Sequence, residues 1–174
     1  MRIGYRLLQI SLLVILVACH SGPVILGEGT RYVNGTGGRQ RVSLPDGSHV
    51  VLAPGTAIVL SKGFATGGRE VELDGEGLFE VVGKVRQPFI VHTGNLLIEV
   101  LGTRFHIDAY RKNAGEQVDL LEGRLRVQKS YHSDTDNNPE VLVAGEMVMI
   151  NRDIDLMEKE KLSPSELDKL RDGW

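Results

Sequence analysis

The chain has 174 residues of which 41% are hydrophobic, enough to bury a core in one domain and too many for intrinsic disorder. Only 5% are aromatic while 21 are Gly, which disfavours a helical bundle and favours many short strands and turns. The net charge of −3 becomes −5 once residues 1–18 are set aside, because they hold Arg2 and Arg6 and no acid; with no Lys/Arg run and no basic–aromatic interleaving, this argues against a nucleic-acid partner.

Arg2 and Arg6 precede the apolar run LLQISLLVILVA (7–18), which ends at CHSGP. A basic flank and a short apolar segment are the layout of an export signal. Continued through residues 24–26, the run approaches a membrane span at the cost of burying His20 and Pro23. Residues 1–26 are therefore read as a signal or anchor, and either form places the body outside the cytoplasm. The single cysteine, Cys19, follows LVA as in the lipobox of bacterial lipoproteins and is the candidate lipidation site. Its alternative is an apolar Cys within a retained anchor, and a lone Cys rules out an internal disulfide framework. Residues 27–38, GEGTRYVNGTGG, are Gly-rich and polar and read as a flexible tether.

The body spans 39–151 and carries about twelve short strands: RQRVSL, HVVL, TAIVLS, REVEL, GLFEVV, PFIVHT, LLIEVLG, RFHIDAY, EQVDLL, RLRVQK, EVLVA and EMVMIN. That number predicts an all-β fold, a two-sheet roll or solenoid-like sandwich. In REVELDGEGLFEVV the apolar Val71, Leu73, Leu78 and Val82 are interleaved with the charged Arg69, Glu70, Glu72, Glu76 and Glu80, so one face, with these charges on it, is wet. LLIEVLG is almost continuously apolar and predicts a central strand covered on both faces. LPDG (44–47), ELDG (72–75), LLEG (120–123) and LVAG (142–145) each close an apolar strand on Gly and read as recurring hairpin turns without a strict period.

Residues 152–174 form a charged linker without the strand period. Ser163, Pro164 and Glu166 supply an N-cap, an N1 proline and a capping-box acid, which predicts a short helix over 164–171. The isolated Trp174 suggests the start of a further packed element, a missing C-terminal domain.

Chemistry is sparse. The histidines at 20, 49, 92, 106 and 132 show no metal-ligand spacing, and His49, His92 and His106 read as satisfied or surface strand residues. Asp134, Asp136 and Asn138 begin like a calcium loop, which then fails at Pro139 and Gly145. No nucleophile elbow, phosphate loop or dinucleotide motif occurs, so neither an enzyme nor a cofactor site is predicted.

The ordered phrases LPDGSHVVLAPGT, REVELDGEGLFEV, RQPFIVHTG, VLGTRFHIDAY, VDLLEGRLRV and LVAGEMV, over about 39–150, resemble the FecR family. The resemblance implies the periplasmic middle domain of a membrane-bound anti-sigma regulator, with a sigma factor and the signalling domain of a TonB-dependent transporter as partners, often in uptake of iron chelates or glycans. Asp46, Gly47, Gly75, Phe79, Gly102, Phe105 and Gly123 are then turn and core positions rather than contacts. Departures from the family phrases fall at Ala53, Pro54, Gly77, Leu78 and His106. Only six residues precede Leu7, so the resemblance implies the middle module alone, with the contacts to partners made through other segments. The alternative is an envelope lipoprotein that binds carbohydrate or protein; a cupin-type enzyme using the dispersed histidines ranks third.

Overall fold

The structure, a computed structural model, describes residues 29–174; the signal or anchor segment and Cys19 lie outside them. The strands are β1 (Arg31–Val33), β2 (Gln40–Ser43), β3 (His49–Leu52), β4 (Ala57–Leu60), β5 (Arg69–Val81), β6 (Phe89–His92), β7 (Leu96–Val100), β8 (Thr103–Ala109), β9 (Gly115–Glu122), β10 (Arg124–Lys129), β11 (Glu140–Val143), β12 (Glu146–Asn151) and β13 (Leu156–Lys161), followed by α1 (Pro164–Asp172). The fold is all-β with one short helix, as the alternation and the capping box predict.

Two sheets share the 13-residue β5. Its first half pairs with β4 and, in parallel, with β6, and this sheet continues through β7 and β10 to β11, with β1 beside β4. Its second half pairs with β3 and β8, and the second sheet continues through β9 and β12 to β13, with β2 beside β3. The inner faces meet on Val50, Leu52, Ile58, Leu73, Phe79, Phe89, Ile98, Phe105, Ile107, Val118, Leu120 and Val127, all fully buried. Each such side chain contributes roughly 1.5–3 kcal/mol. Phe79 and Phe105 stack at 5.1 Å, and Phe89 meets Phe79 edge-on at 6.3 Å.

The recurring Gly turns are of two kinds. LPDG joins β2 to β3 within one sheet. ELDG, LLEG and LVAG, read as hairpins from sequence, instead carry the chain across from one sheet to the other: Gly75 inside β5, Gly123 between β9 and β10, Gly145 between β11 and β12. The reason is visible at Gly75, whose φ of 127° bends the strand just where its partner changes from β4 to β3. Thr56 fills the gap in the ladder: its hydroxyl donates to the Glu76 carbonyl (3.0 Å) and accepts from the Glu76 amide (2.9 Å). A Cβ at Gly75 would lie 2.7 Å from the Thr56 Cα, and one at Gly123 (φ 93°) would lie 2.9 Å from the Gly102 carbonyl oxygen. Glycine is required at both by backbone angle and by space.

Four expectations change. β1 lies within the stretch read as a tether and pairs with β4, while the buried Asn34 beside it donates to the carbonyls of Leu52 and Gly38; from residue 30 onward the chain is part of the body. β13 lies within the stretch read as a charged linker: LMEKEK pairs along its whole length with β12, and its Met157 packs on the core. Its charges suit an edge strand, which needs only one partner. REVEL and GLFEVV are one strand, and with β1 and β13 added the described residues hold thirteen strands in place of about twelve. β7 is central, yet Leu97 and Glu99 on its outer side are only half-buried.

Candidate functional site

Sequence-predicted positions distribute over the scaffold. Phe79 and Phe105 are core, and Gly47, Gly75, Gly102 and Gly123 sit at turns, crossings and close backbone approaches. Asp46 is more than a turn residue: it forms a fully buried ion pair with Arg69 (Nη1–Oδ2 3.1 Å), both side chains being 0% exposed. Asp46 also accepts from the Ser48 amide and hydroxyl. Arg69 donates to the carbonyls of Val82 and Gln87, and the Ser48 hydroxyl accepts from the Val82 amide. Every charge in this clamp is satisfied, as burial demands. It fastens the β2–β3 hairpin to both ends of β5.

A second internally closed cluster joins the β10–β11 and β12–β13 connections. Lys129 donates to Asp155 Oδ1 (2.9 Å) and Ser133 (2.7 Å), while Ser133 donates to Asp155 Oδ2 (2.7 Å). The hydrogen bond from Lys129 holds the Asp155 carboxyl well below the usual range. Ser133 thus donates to the Asp155 carboxylate and accepts from Lys129, and its hydroxyl pins the two connections together. Among the described residues no group of three or more His, Cys, Asp or Glu is arranged to hold a metal.

The outer face of the second sheet is different. Register places Leu78 (β5), His106 (β8), Asp119 (β9) and Met147 (β12) in one row across four strands, and all four are buried although they point away from the core. The cover is the C-terminal segment: α1 carries the half-buried Leu167 and Leu170, and the half-buried Trp174 follows its end and lies against His106. α1 is held at its start by Ser163 and Glu166, which form the capping box.

His106 is the polar centre of the covered row. Its Nδ1 is 2.9 Å from Asp119 Oδ2 and its Nε2 3.1 Å from Glu76 Oε1. Burial opposes its charge, but hydrogen bonds to Asp119 and Glu76 and the two carboxylate charges outweigh it and push the imidazole up to about 8. The hydrogen bond from His106 in turn lowers the Glu76 carboxyl, against its burial. The Trp174 ring lies 4.9 Å from the imidazole, and the Arg39 guanidinium sits over the same indole, 4.2 Å from the ring centroid. Arg39 also donates to the Gly173 carbonyl. A charged imidazole, a tryptophan and a guanidinium thus latch the C-terminal segment to the sheet.

Beside the latch, α1 leaves the next rows uncovered, where Asp108, Gln117, Met149 and Glu158 line a shallow cavity. Burial, and next the charge of Glu76, push the Asp108 carboxyl up. Sequence reading missed this face because His106, Glu76 and Asp119 are far apart in the chain; only the register of three neighbouring strands brings them together.

A family model described as FecR protein matches residues 30–126. The chain belongs to the FecR family. The match begins at the ordered strand β1 and ends within β10. Two crystal structures of a candidate anti-sigma factor from Parabacteroides distasonis, at 2.50 and 1.65 Å resolution, are similar, each with 27% identity and a TM-score of 0.70 over 82% of this chain. The chain spans 62% and 63% of the length of those two chains. No curated protein matches. FecR proteins are envelope-associated regulators, and no helix among the described residues of this one is long and apolar enough to cross a membrane.

Proposed function

We propose that this FecR protein is the periplasmic module of an anti-sigma regulator that couples a TonB-dependent outer-membrane transporter to sigma-factor-dependent transcription. The observation that carries the reading is the family match over the whole first part of the body, joined to two structural neighbours described as anti-sigma factors. The scaffold suits a relay: a rigid two-sheet body with one outer face whose cover is held by a few polar contacts rather than by a sealed core. Segment 1–26 would attach it to the inner membrane, either as a retained anchor or through acylated Cys19. Intact mass of the protein from native membranes separates those two forms.

The experiment is cross-linking of the full chain in its native envelope followed by identification of the captured proteins. A sigma factor and a TonB-dependent transporter are the expected partners. Capture of envelope proteins with neither among them would overturn the reading.

A further inference from the structure

The part of the second sheet's outer face that α1 leaves bare forms a groove of about 370 Å³, at the small end of the range for ligand sites. Its floor and walls are Met149, Ile154 and Leu156 with Asp108, Gln117 and Glu158. The three apolar residues are 38%, 66% and 41% exposed, an apolar patch of the kind that marks an interaction surface. The Glu116 carboxyl is buried and taken up by Thr93 and Asn95, so Asp108 and Glu158 are the groove's acids, and no Lys or Arg lines it among the described residues. The Asp108 carboxyl has backbone support from Tyr110, but among the described residues its buried Oδ1 has no hydrogen-bond partner, whereas buried polar atoms almost always have one.

We propose that this groove is the docking site for an extended segment of a partner protein that presents an Arg or Lys side chain flanked by apolar residues. Charge chooses the occupant: the carboxylates of Asp108 and Glu158, with no cation beside them in the groove, call for one, and the exposed Met149, Ile154 and Leu156 call for apolar neighbours on either side of it. The adjoining half of the same face already carries that combination in cis, where Leu167, Leu170 and Trp174 provide the apolar cover and Arg39 the positive charge near Glu76. β13 forms one wall and, among the described residues, pairs with β12 alone, so its other edge offers backbone groups to an extended chain. A guanidinium at Asp108 would make the charge-assisted bond that the fold itself omits. The assignment goes beyond the FecR reading and does not depend on which protein supplies the segment.

The test uses the detergent-solubilised full chain and two fluorescent peptides, Ac-Leu-Arg-Leu-Arg-Leu-amide and its Glu-for-Arg counterpart, with anisotropy as the readout. The Arg peptide should bind and the Glu peptide should not. Asp108→Asn should weaken binding about tenfold, the value of one charge-assisted hydrogen bond, and Ile154→Ser, at an exposed position that leaves the fold intact, should weaken it severalfold. No binding of the Arg peptide, equal binding of both peptides, or binding unchanged in both variants would overturn the proposal. Equal affinity for N-acetyl-arginine amide alone would overturn the extended occupant.

Discussion

The Asp46–Arg69 clamp and the His106 face are both made of paired charges, and they differ in where the protein leaves water and movement. The clamp is sealed at 0% exposure with every donor and acceptor used inside the body. The His106 face is outside the core, its lid is α1 and the half-buried Trp174 that follows it, and next to it Asp108 Oδ1 has no hydrogen-bond partner among the described residues. The same chemistry is thus a sealed joint in one place and a half-exposed surface contact in the other. The distinction rests on burial and satisfaction, not on residue type.

The strongest way to break the comparison is to cut the clamp. Arg69→Met strands the Asp46 carboxylate in the interior and should cost about 3–5 kcal/mol in urea denaturation, whereas Arg69→Met combined with Asp46→Leu should recover part of that loss. Gly123→Val is a non-ionic control. Its Cβ would meet the Gly102 carbonyl at a φ that suits only glycine, so a loss of about 1–3 kcal/mol is expected, with the pH dependence of the His106 face unchanged.

His106→Gln should cost less and only in one pH range. The imidazole is raised from 6.5 to about 8 on folding, so its contribution is complete below about 6.5 and is lost as pH rises through about 8. The corresponding value is on the order of 2 kcal/mol. Wild type and variant should therefore differ in denaturation midpoint at pH 6 and converge above pH 9. The smallest effect belongs to Asp108→Asn. Burial and Glu76 raise this carboxyl in the folded state, so its charge opposes folding above its ordinary range, and the neutral variant should show a slight rise in thermal midpoint at pH 7.

Much of the fold was legible in the sequence. Alternation placed Val71 and Leu73 inside and Glu70 and Glu72 outside, but it failed at Arg69, which is buried, and past Gly75, where Phe79 and Val81 face the core while Leu78 lies on the outer face and Val82 is 43% exposed; Ser163, Pro164 and Glu166 located α1 to within a residue at its end. What was not legible depends on tertiary partners. LMEKEK has no apolar alternation, because an edge strand can take its stability from one neighbour. The tether reading failed at Arg31–Val33 because Gly-rich composition conceals a short strand whose neighbour Asn34 is buried by distant carbonyls. The Gly turns were recognisable as turns, but whether a turn stays in its sheet or crosses to the other depends on which strands pair, as Gly75 and Thr56 demonstrate. The site was hardest. His106 reads as one more strand histidine until register sets it between Glu76 and Asp119, and Arg69 reads as a surface charge until Asp46 is found beside it in the interior.

The most direct test of a detachable latch is the emission of Trp174, the only tryptophan in the chain, followed from pH 6 to pH 9.5 alongside far-ultraviolet circular dichroism. The account predicts a change in emission centred near pH 8 while the β signal stays constant, and its absence in His106→Gln. A flat emission profile in the wild type, or the same midpoint in the variant, would contradict it.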